Sequence, residues 1–306
     1  MSPPFTIRIP PAASVVTKCV VRKPQRLLRK AYVIRWDTGF CETLVGYTLS
    51  CFYSEEVSTN KRRFIVDEML GGTRITYLGH ATFRIVTPGG EQILIDPFLT
   101  DNPQTPEDLK QIGELDTMLI THGHFDHFAD AIPVAQETGA MVVSNFEIFS
   151  YLQGKGIENG TPIQKGGTTQ VGGIKVTATH AFHSSSIAEE DGTIIYAGEP
   201  VGYILEFESG FKLYHAGDTA VFGDMQLIGE LYRPDLALLP IGNQVVMSPF
   251  EAAHAVRLLG VGHVVPIHYG TFPFLPGTPE EFQEHLSKLA PDAVVHVMQP
   301  GDDLAS

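Results

Sequence analysis

From residue 74 onward the chain reads as short apolar runs cut by glycine, proline and histidine. Arg74-Ile75-Thr76-Tyr77-Leu78 alternates as a half-buried strand does. Gly79-His80-Ala81-Thr82 reads as a turn and Phe83-Arg84-Ile85-Val86 as a second strand, and Pro88-Gly89-Gly90 closes a hairpin into residues 92–97. After a polar, proline-punctuated loop over 100–114, Thr117-Met118-Leu119-Ile120 predicts a buried strand. Residues 130–138 predict a short helix ended by Gly139, residues 141–143 a strand and 147–152 a helix. Residues 161–208 are rich in strands and glycine turns, with runs at 174–179 and 201–207 and an acidic loop between them. Residues 212–219 read as strand into turn, 224–231 as a helix, and Leu236-Ala237-Leu238-Leu239-Pro240-Ile241 as a buried strand. Ser248-Pro249-Phe250-Glu251 opens a helix with serine as cap, proline first and glutamate three on; it stops at Gly260. Val264-Val265-Pro266-Ile267-His268 is a strand ending in histidine, Thr278-Pro279-Glu280-Glu281 starts a last helix, and residues 293–297 close the chain. Strands followed by strand–helix alternation in both halves predict an α/β fold of two sheets with helices outside.

The first 68 residues show no sustained period of two or 3.6. Residues 1–72 hold 11 Lys and Arg against 6 Asp and Glu, a charge of +5, whereas residues 73–306 carry −19. All three cysteines (Cys19, Cys41, Cys51) and the single tryptophan, Trp36, also lie in the early segment. Such a segment suits an organelle transit peptide, a small accessory domain, or an open reading frame extended upstream of a true start at Met69. The last is preferred, because strand-like sequence begins directly after Met69. Residues 1–68 are therefore expected to be an extension, either disordered or a misassigned start, before a domain over 69–306. The net charge of −14 argues against nucleic acid as a partner, and no apolar run is long enough to span a membrane. With no paired cysteine framework and no secretory leader, a cytoplasmic protein with a small-molecule substrate is expected, assembled as a homo-oligomer.

The chemistry concentrates at Thr121-His122-Gly123-His124-Phe125-Asp126-His127, directly after the buried strand at 117–120. Three of 12 histidines fall within six positions. In an extended segment residues two apart project to one side, so His122 and His124 can serve one ion while Asp126 and His127 point at a neighbouring one. Gly123 would relieve crowding between two imidazoles. A thiolate-free His/Asp set favours Zn or Mn, with Fe as a further option. His122, His183, Asp218 and His268 each follow a predicted strand, and strand ends on one edge converge. The ligands divide into His122, His124 and His183 for one ion and Asp126, His127 and His268 for the other, with Asp218 between. His180 and His183 both follow strand 174–179 and either could ligate by position; His183 is the one placed in this set. Open coordination positions suit catalysis rather than structure.

These motifs, with Tyr77-Leu78-Gly79-His80, Ile95-Asp96-Pro97-Phe98, His215-Ala216-Gly217-Asp218-Thr219 and Leu239-Pro240-Ile241-Gly242, resemble the metallo-β-lactamase superfamily. Within it they are most similar to the uncharacterised bacterial metal-dependent hydrolases related to L-ascorbate phosphate lactonase. The resemblance implies an αββα sandwich with a dinuclear site at one edge. It also implies a metal-bridging hydroxide acting on a lactone, ester or phosphodiester. His80 and Asp126 are the candidate catalytic side chains, His80 as a stabiliser of the developing oxyanion. The rival readings are a nuclease-like phosphodiesterase and a metal-binding module without hydrolysis.

Overall fold

The computed structural model describes residues 17–23, 26–27, 32–34, 48–51 and 66–304. The chain divides into two units, residues 1–65 and 66–306. In the first, β1 (Thr17–Lys23) pairs antiparallel with β2 (Arg26–Leu27), β3 (Tyr32–Ile34) and β4 (Thr48–Cys51). Three of these strands have four residues or fewer, too short to show a readable period. The expectation of an N-terminal extension otherwise falls on residues outside those described.

The second unit opens with a helical turn, α1, over 66–70. Its Val66 and Leu70 are buried in the core, so this unit takes in residues ahead of Met69. Its first sheet holds, in chain order, β5 (Arg74–Gly79), β6 (Thr82–Val86), β7 (Gln92–Ile95), β8 (Thr117–Leu119), β9 (Met141–Ser144) and β10 (Gly160–Pro162). β5 to β7 pair antiparallel and β7 to β10 parallel. Between β8 and β10 lie helices α2 (Phe125–Phe128), α3 (Ala131–Thr138) and α4 (Phe146–Gly154).

The second half continues with β11 (Thr168–Val171), β12 (Ile174–His180), a separate hairpin of β13 (Ser186–Ala188) and β14 (Ile194–Tyr196), β15 (Val201–Glu206) and β16 (Lys212–His215). α5 (Met225–Tyr232), β17 (Leu236–Pro240), α6 (Pro249–Leu259), β18 (His263–Ile267), α7 (Pro279–Leu289) and β19 (Val294–Val295) complete it. The second sheet runs β11-β12-β15-β16-β17-β18-β19, antiparallel as far as β16 and parallel thereafter.

Side-chain alternation sorts these elements into four layers. Ile93 and Ile95 of β7 face Leu236 and Leu238 of β17 within one core between the sheets. The intervening Leu94, with Met118 and Val142, packs on α3 and α4 through Val134, Ala135, Ile148 and Leu152. Ala237 and Leu239 pack outward on α5, α6 and α7 through Ile228, Ala252, Val256 and Phe282. Helix–sheet–sheet–helix is the αββα sandwich. The capped start of α6 is complete: Ser248 Oγ accepts from Glu251 N, and the glutamate returns to Ser248 N at 2.8 Å. Two local expectations change. The histidine loop is not extended throughout, since α2 begins at Phe125 inside it, and the acidic loop before β15 contains the β13–β14 hairpin. A helix of one turn leaves too few residues to show a 3.6 period.

Candidate metal centre

β7, β8, β12, β16 and β18 deliver Asp96, His122, His183, Asp218 and His268 just beyond their carboxyl ends, and β5 delivers His80. These ends lie on one edge of the sandwich, so polar groups from both sheets meet there. His80, His122, His127, His268, Asp126 and Asp218 are buried, whereas His124 and His183 are partly open to solvent. All seven ligand candidates, and His80, fall into overlapping clusters: His122, His124 and His183; His122, His127 and Asp218; and His80, Asp126, His127 and His268.

In the first cluster His124 Nδ1 lies 3.1 Å from His122 Nε2 and 3.3 Å from His183 Nε2. Three nitrogens about 2.0–2.1 Å from one tetrahedral ion stand roughly 3.3 Å apart. Asp218 sits between the clusters. Its Oδ2 lies 3.9 Å from His122 Nε2, 3.7 Å from His183 Nε2 and 3.0 Å from His268 Nε2, and its Oδ1 lies 3.2 Å from His127 Nε2.

Hydrogen bonds behind the cluster decide which nitrogen of each ring is free. Asp96, an acceptor, receives Thr121 N (2.7 Å), Thr121 Oγ1 (2.7 Å) and His127 Nδ1 (2.8 Å). His127 therefore carries its proton on Nδ1, and its Nε2 faces Asp218. Having given its proton to Asp96, Thr121 Oγ1 accepts from His122 Nδ1 at 3.0 Å, which frees His122 Nε2. The same logic holds at His80. Thr271 Oγ1 donates to Gln104 Oε1 (2.9 Å), so it accepts from His80 Nδ1 (2.8 Å) and leaves Nε2 facing Asp126 Oδ2 at 3.1 Å.

Neutral imidazole lone pairs thus point at carboxylate oxygens, an arrangement that repels unless a cation or a proton lies between. His127 Nε2, Asp218 Oδ1 and His268 Nε2 are moreover buried with no hydrogen-bond partner. Burial and the neighbouring His268 hold His80 neutral, lowering it to about 3, and burial with His127 lowers His122. Burial pushes His268 down, but Asp218 and Asp126 outweigh it and raise the group to about 9. His127 is raised against the same burial by Asp218 and Asp96. Burial would raise Asp126 and Asp218, yet the imidazoles around them keep both ionised well below the usual carboxylate range. The donor set fits divalent cations, which would take the place of the protons held by His127 and His268: imidazoles, ionised carboxylates and no thiolate.

The backbone is strained to reach this geometry. His80 (φ 59°), Asp96 (φ 50°) and His268 (φ 55°) are all left-handed, a conformation costing about 1–3 kcal/mol at a non-glycine residue. Two of them clasp each other, His268 N donating to His80 O at 2.7 Å. Gly123 serves a purpose other than separating imidazoles. A Cβ there would lie 2.7 Å from Ala197 Cβ and 2.9 Å from Ile187 Cγ1, so its absence admits the β13–β14 hairpin against the histidine loop. Ser185 ties the two, accepting from Gly123 N and donating to Ala197 O. The chain belongs to the β-lactamase superfamily of metal-dependent hydrolases. Residues 91–269 match the β-lactamase superfamily domain. A metal-dependent hydrolase of Rubrobacter xylanophilus is 75% identical over 242 residues, 79% of this chain and 100% of the relative. One from Methanopyrus kandleri is 46% identical over 75% of this chain and 98% of its own. Among solved structures, a metallo hydrolase from the archaeon Ignicoccus hospitalis superposes with a TM-score of 0.67 at 38% identity, covering 76% of this chain and 97% of that one.

The other histidines stand apart from the cluster. His215 is buried and bonded to Ala81 O and Gly217 N. His263 stacks on His296, His180 meets Lys165, and His254 and His285 flank Phe250. Sequence reading quoted Asp96 and Thr121 within motifs without giving either a role, and did not single out Gln104 or Thr271. For Asp96 a signal existed: it too is a polar residue directly after a buried strand, the rule that found Asp218. No helix among the described residues is long and apolar enough to cross a membrane.

Proposed function

We infer that the chain is a dinuclear hydrolase acting on a lactone or carboxylic ester. His122, His124 and His183 would hold one divalent cation, Asp126, His127 and His268 the other, with Asp218 shared and His80 beside the second. Zn or Mn suits this set, and Fe is chemically admissible. The observation that supports the reading is the ring of imidazole nitrogens crowded against Asp126 and Asp218. Cations bound there supply Lewis acidity and lower the pKa of water toward neutrality.

The protein's own groups do the rest. Asp96 and Thr121 fix the tautomers of His127 and His122, and the Gln104–Thr271 pair fixes that of His80. Asp126, held ionised and slightly open to solvent, accepts a hydrogen bond from the attacking water and orients it. Water adds its oxygen to the acyl carbon and the acyl C–O bond breaks; one of the water's protons passes to the leaving alcohol oxygen, and the other stays with the carboxylic acid product, which gives it up to solvent. Solvent reaches the centre past His124 and His183, which are the partly open members of the set.

The test is metal analysis coupled to turnover. Purified protein should hold about two transition-metal ions per chain, lose activity on lactones and esters with chelation, and regain it with Zn or Mn. Full activity at zero or one ion would reject the dinuclear reading. Two ions with no hydrolysis across lactones, esters and a chromogenic phosphodiester would favour a non-hydrolytic metal module instead.

A further inference from the structure

An aromatic shelf leads from the metal centre to solvent. The ring of buried Phe98 meets His80 at 5.8 Å, Phe125 at 5.8 Å edge to face, and Phe272 at 6.3 Å. Phe272 also meets His80 at 5.8 Å and Phe125 at 5.9 Å, and it stacks on Phe274 at 5.3 Å with 12° between planes. The outer rings are open, Phe125 59% and Phe274 41% exposed. Their place is set by the centre itself. Phe125 lies between His124 and Asp126 in the chain, and Phe272 and Phe274 follow His268. Contiguous exposed aromatics are unfavourable in water, and beside converging polar groups they are the usual lining of a small-molecule site.

Charge limits what can lie there. Three lysines of the domain are already engaged: Lys110 with Glu107 and Thr100 O, Lys155 with Glu189, and Lys165 with Glu199. The turn of the β13–β14 hairpin adds Glu189, Glu190 and Asp191, and residues 73–306 carry −19. Away from the cations, a phosphorylated arm could recruit these lysines only by breaking these pairs. An uncharged arm needs no such partner.

We propose that the substrate is an uncharged lactone or carboxylic ester bearing an aromatic arm, which Phe125, Phe272 and Phe274 bind while the acyl carbonyl lies at the cations. This rests on the hydrolase reading above. The full metal-loaded chain is assayed on γ-phenyl-γ-butyrolactone against γ-methyl-γ-butyrolactone, in wild type, Phe125→Ala and Phe274→Ala. Both rings are exposed, and a thermal melt verifies that each variant folds. The wild type should favour the phenyl lactone by about tenfold or more in kcat/KM, and each variant should bring the ratio toward one. Equal wild-type kcat/KM, a ratio unchanged in both variants, or faster turnover of a phenyl phosphodiester than of the phenyl lactone overturns the proposal. If neither lactone is hydrolysed, it is the reaction assigned above that fails. Calorimetry of phenylbutyrate against butyrate on the same proteins then decides the shelf. About tenfold tighter phenylbutyrate binding, lost in the variants, supports it, and equal affinities overturn it.

Discussion

Asp96→Asn changes one oxygen for one nitrogen in a buried position that touches neither cation site, yet it should empty half of the centre. Asp96 accepts three hydrogen bonds, and the one from His127 Nδ1 at 2.8 Å keeps His127 Nε2 available. In asparagine, Oδ1 can still accept from Thr121 N. Its amide nitrogen then stands where Oδ2 met His127 Nδ1 and Thr121 Oγ1. Two donors cannot share that contact, so His127 must move its proton to Nε2. A protonated Nε2 pointing at Asp218 cannot ligate. Loss of such an outer partner lowers metal affinity about 10–100-fold, or about 1.4–2.7 kcal/mol. In the metal-free protein, where His127 holds a second proton, removing the charge also leaves it without one of its two carboxylates. Breaking a buried pair costs about 3–5 kcal/mol, and the isosteric amide, which keeps part of the bonding, should sit at the low end. For a domain of this size about 3 kcal/mol lowers the Tm by roughly 6–12 °C.

The assay is metal content after dialysis against a graded chelator, alongside a thermal melt. The variant should retain the ion assigned to His122, His124 and His183 at higher chelator than the other, and its activity should follow the second ion. An Asp96→Asn protein that keeps both ions at the wild-type chelator midpoint would show that the tautomer argument is wrong, even with a lowered Tm. A folded variant with wild-type Tm but one ion would instead separate the metal effect from the fold.

Three further outcomes are expected. Asp218→Ala should lose at least one ion together with turnover, because the carboxylate between the clusters is gone; His254→Ala, against Phe250 on α6, should keep both. Deleting residues 1–65 should leave a cooperatively folding, active domain, since the Rubrobacter relative is matched along its whole length by 242 residues; deleting 1–68 also removes buried Val66 and should cost about 1.5–3 kcal/mol more, visible in denaturant midpoints. Metal-free protein should lose stability as pH rises. His268, raised from 6.5 to about 9, binds its proton more tightly folded than unfolded, so its contribution is full below 6.5 and gone above 9. The Tm of the chelated protein should fall across that window and that of the loaded protein should not; parallel curves would contradict it.

Most of the sandwich was legible because glycine and proline turns bound its strands and the apolar runs between them are clean. Leu236-Ala237-Leu238-Leu239 shows why two sheets were needed: every position is apolar, so both faces must be covered, one by a sheet and one by helices. The rule that polar residues beyond buried strands share an edge brought His122, His183, Asp218 and His268 together from distant parts of the chain. What it could not supply is direction within a residue. Nothing in Asp96, Thr121, Gln104 or Thr271 as letters says that their hydrogen bonds choose which imidazole nitrogen faces the centre. That choice comes from side chains up to 191 positions apart, as between His80 and Thr271. The left-handed backbone at His80, Asp96 and His268 was equally invisible, since sequence marks that conformation by glycine.

The same distinction explains why the aromatic residues went unread. Phe98, Phe125, Phe272 and Phe274 lie in three separate loops, and in each a phenylalanine next to a strand end is an ordinary core residue. Only the fold shows that Phe98 is buried while Phe125 and Phe274 are not, and that all four join through Phe272 to the ring of His80. Four of the seven ligand candidates, His122, His124, Asp126 and His127, are encoded locally in a motif of six residues, and the other three each follow a readable strand. The choice of molecule depends on surfaces assembled from loops, which is why candidate metal ligands could be named from the chain, while the shelf proposed to take an aromatic arm came into view only with the fold.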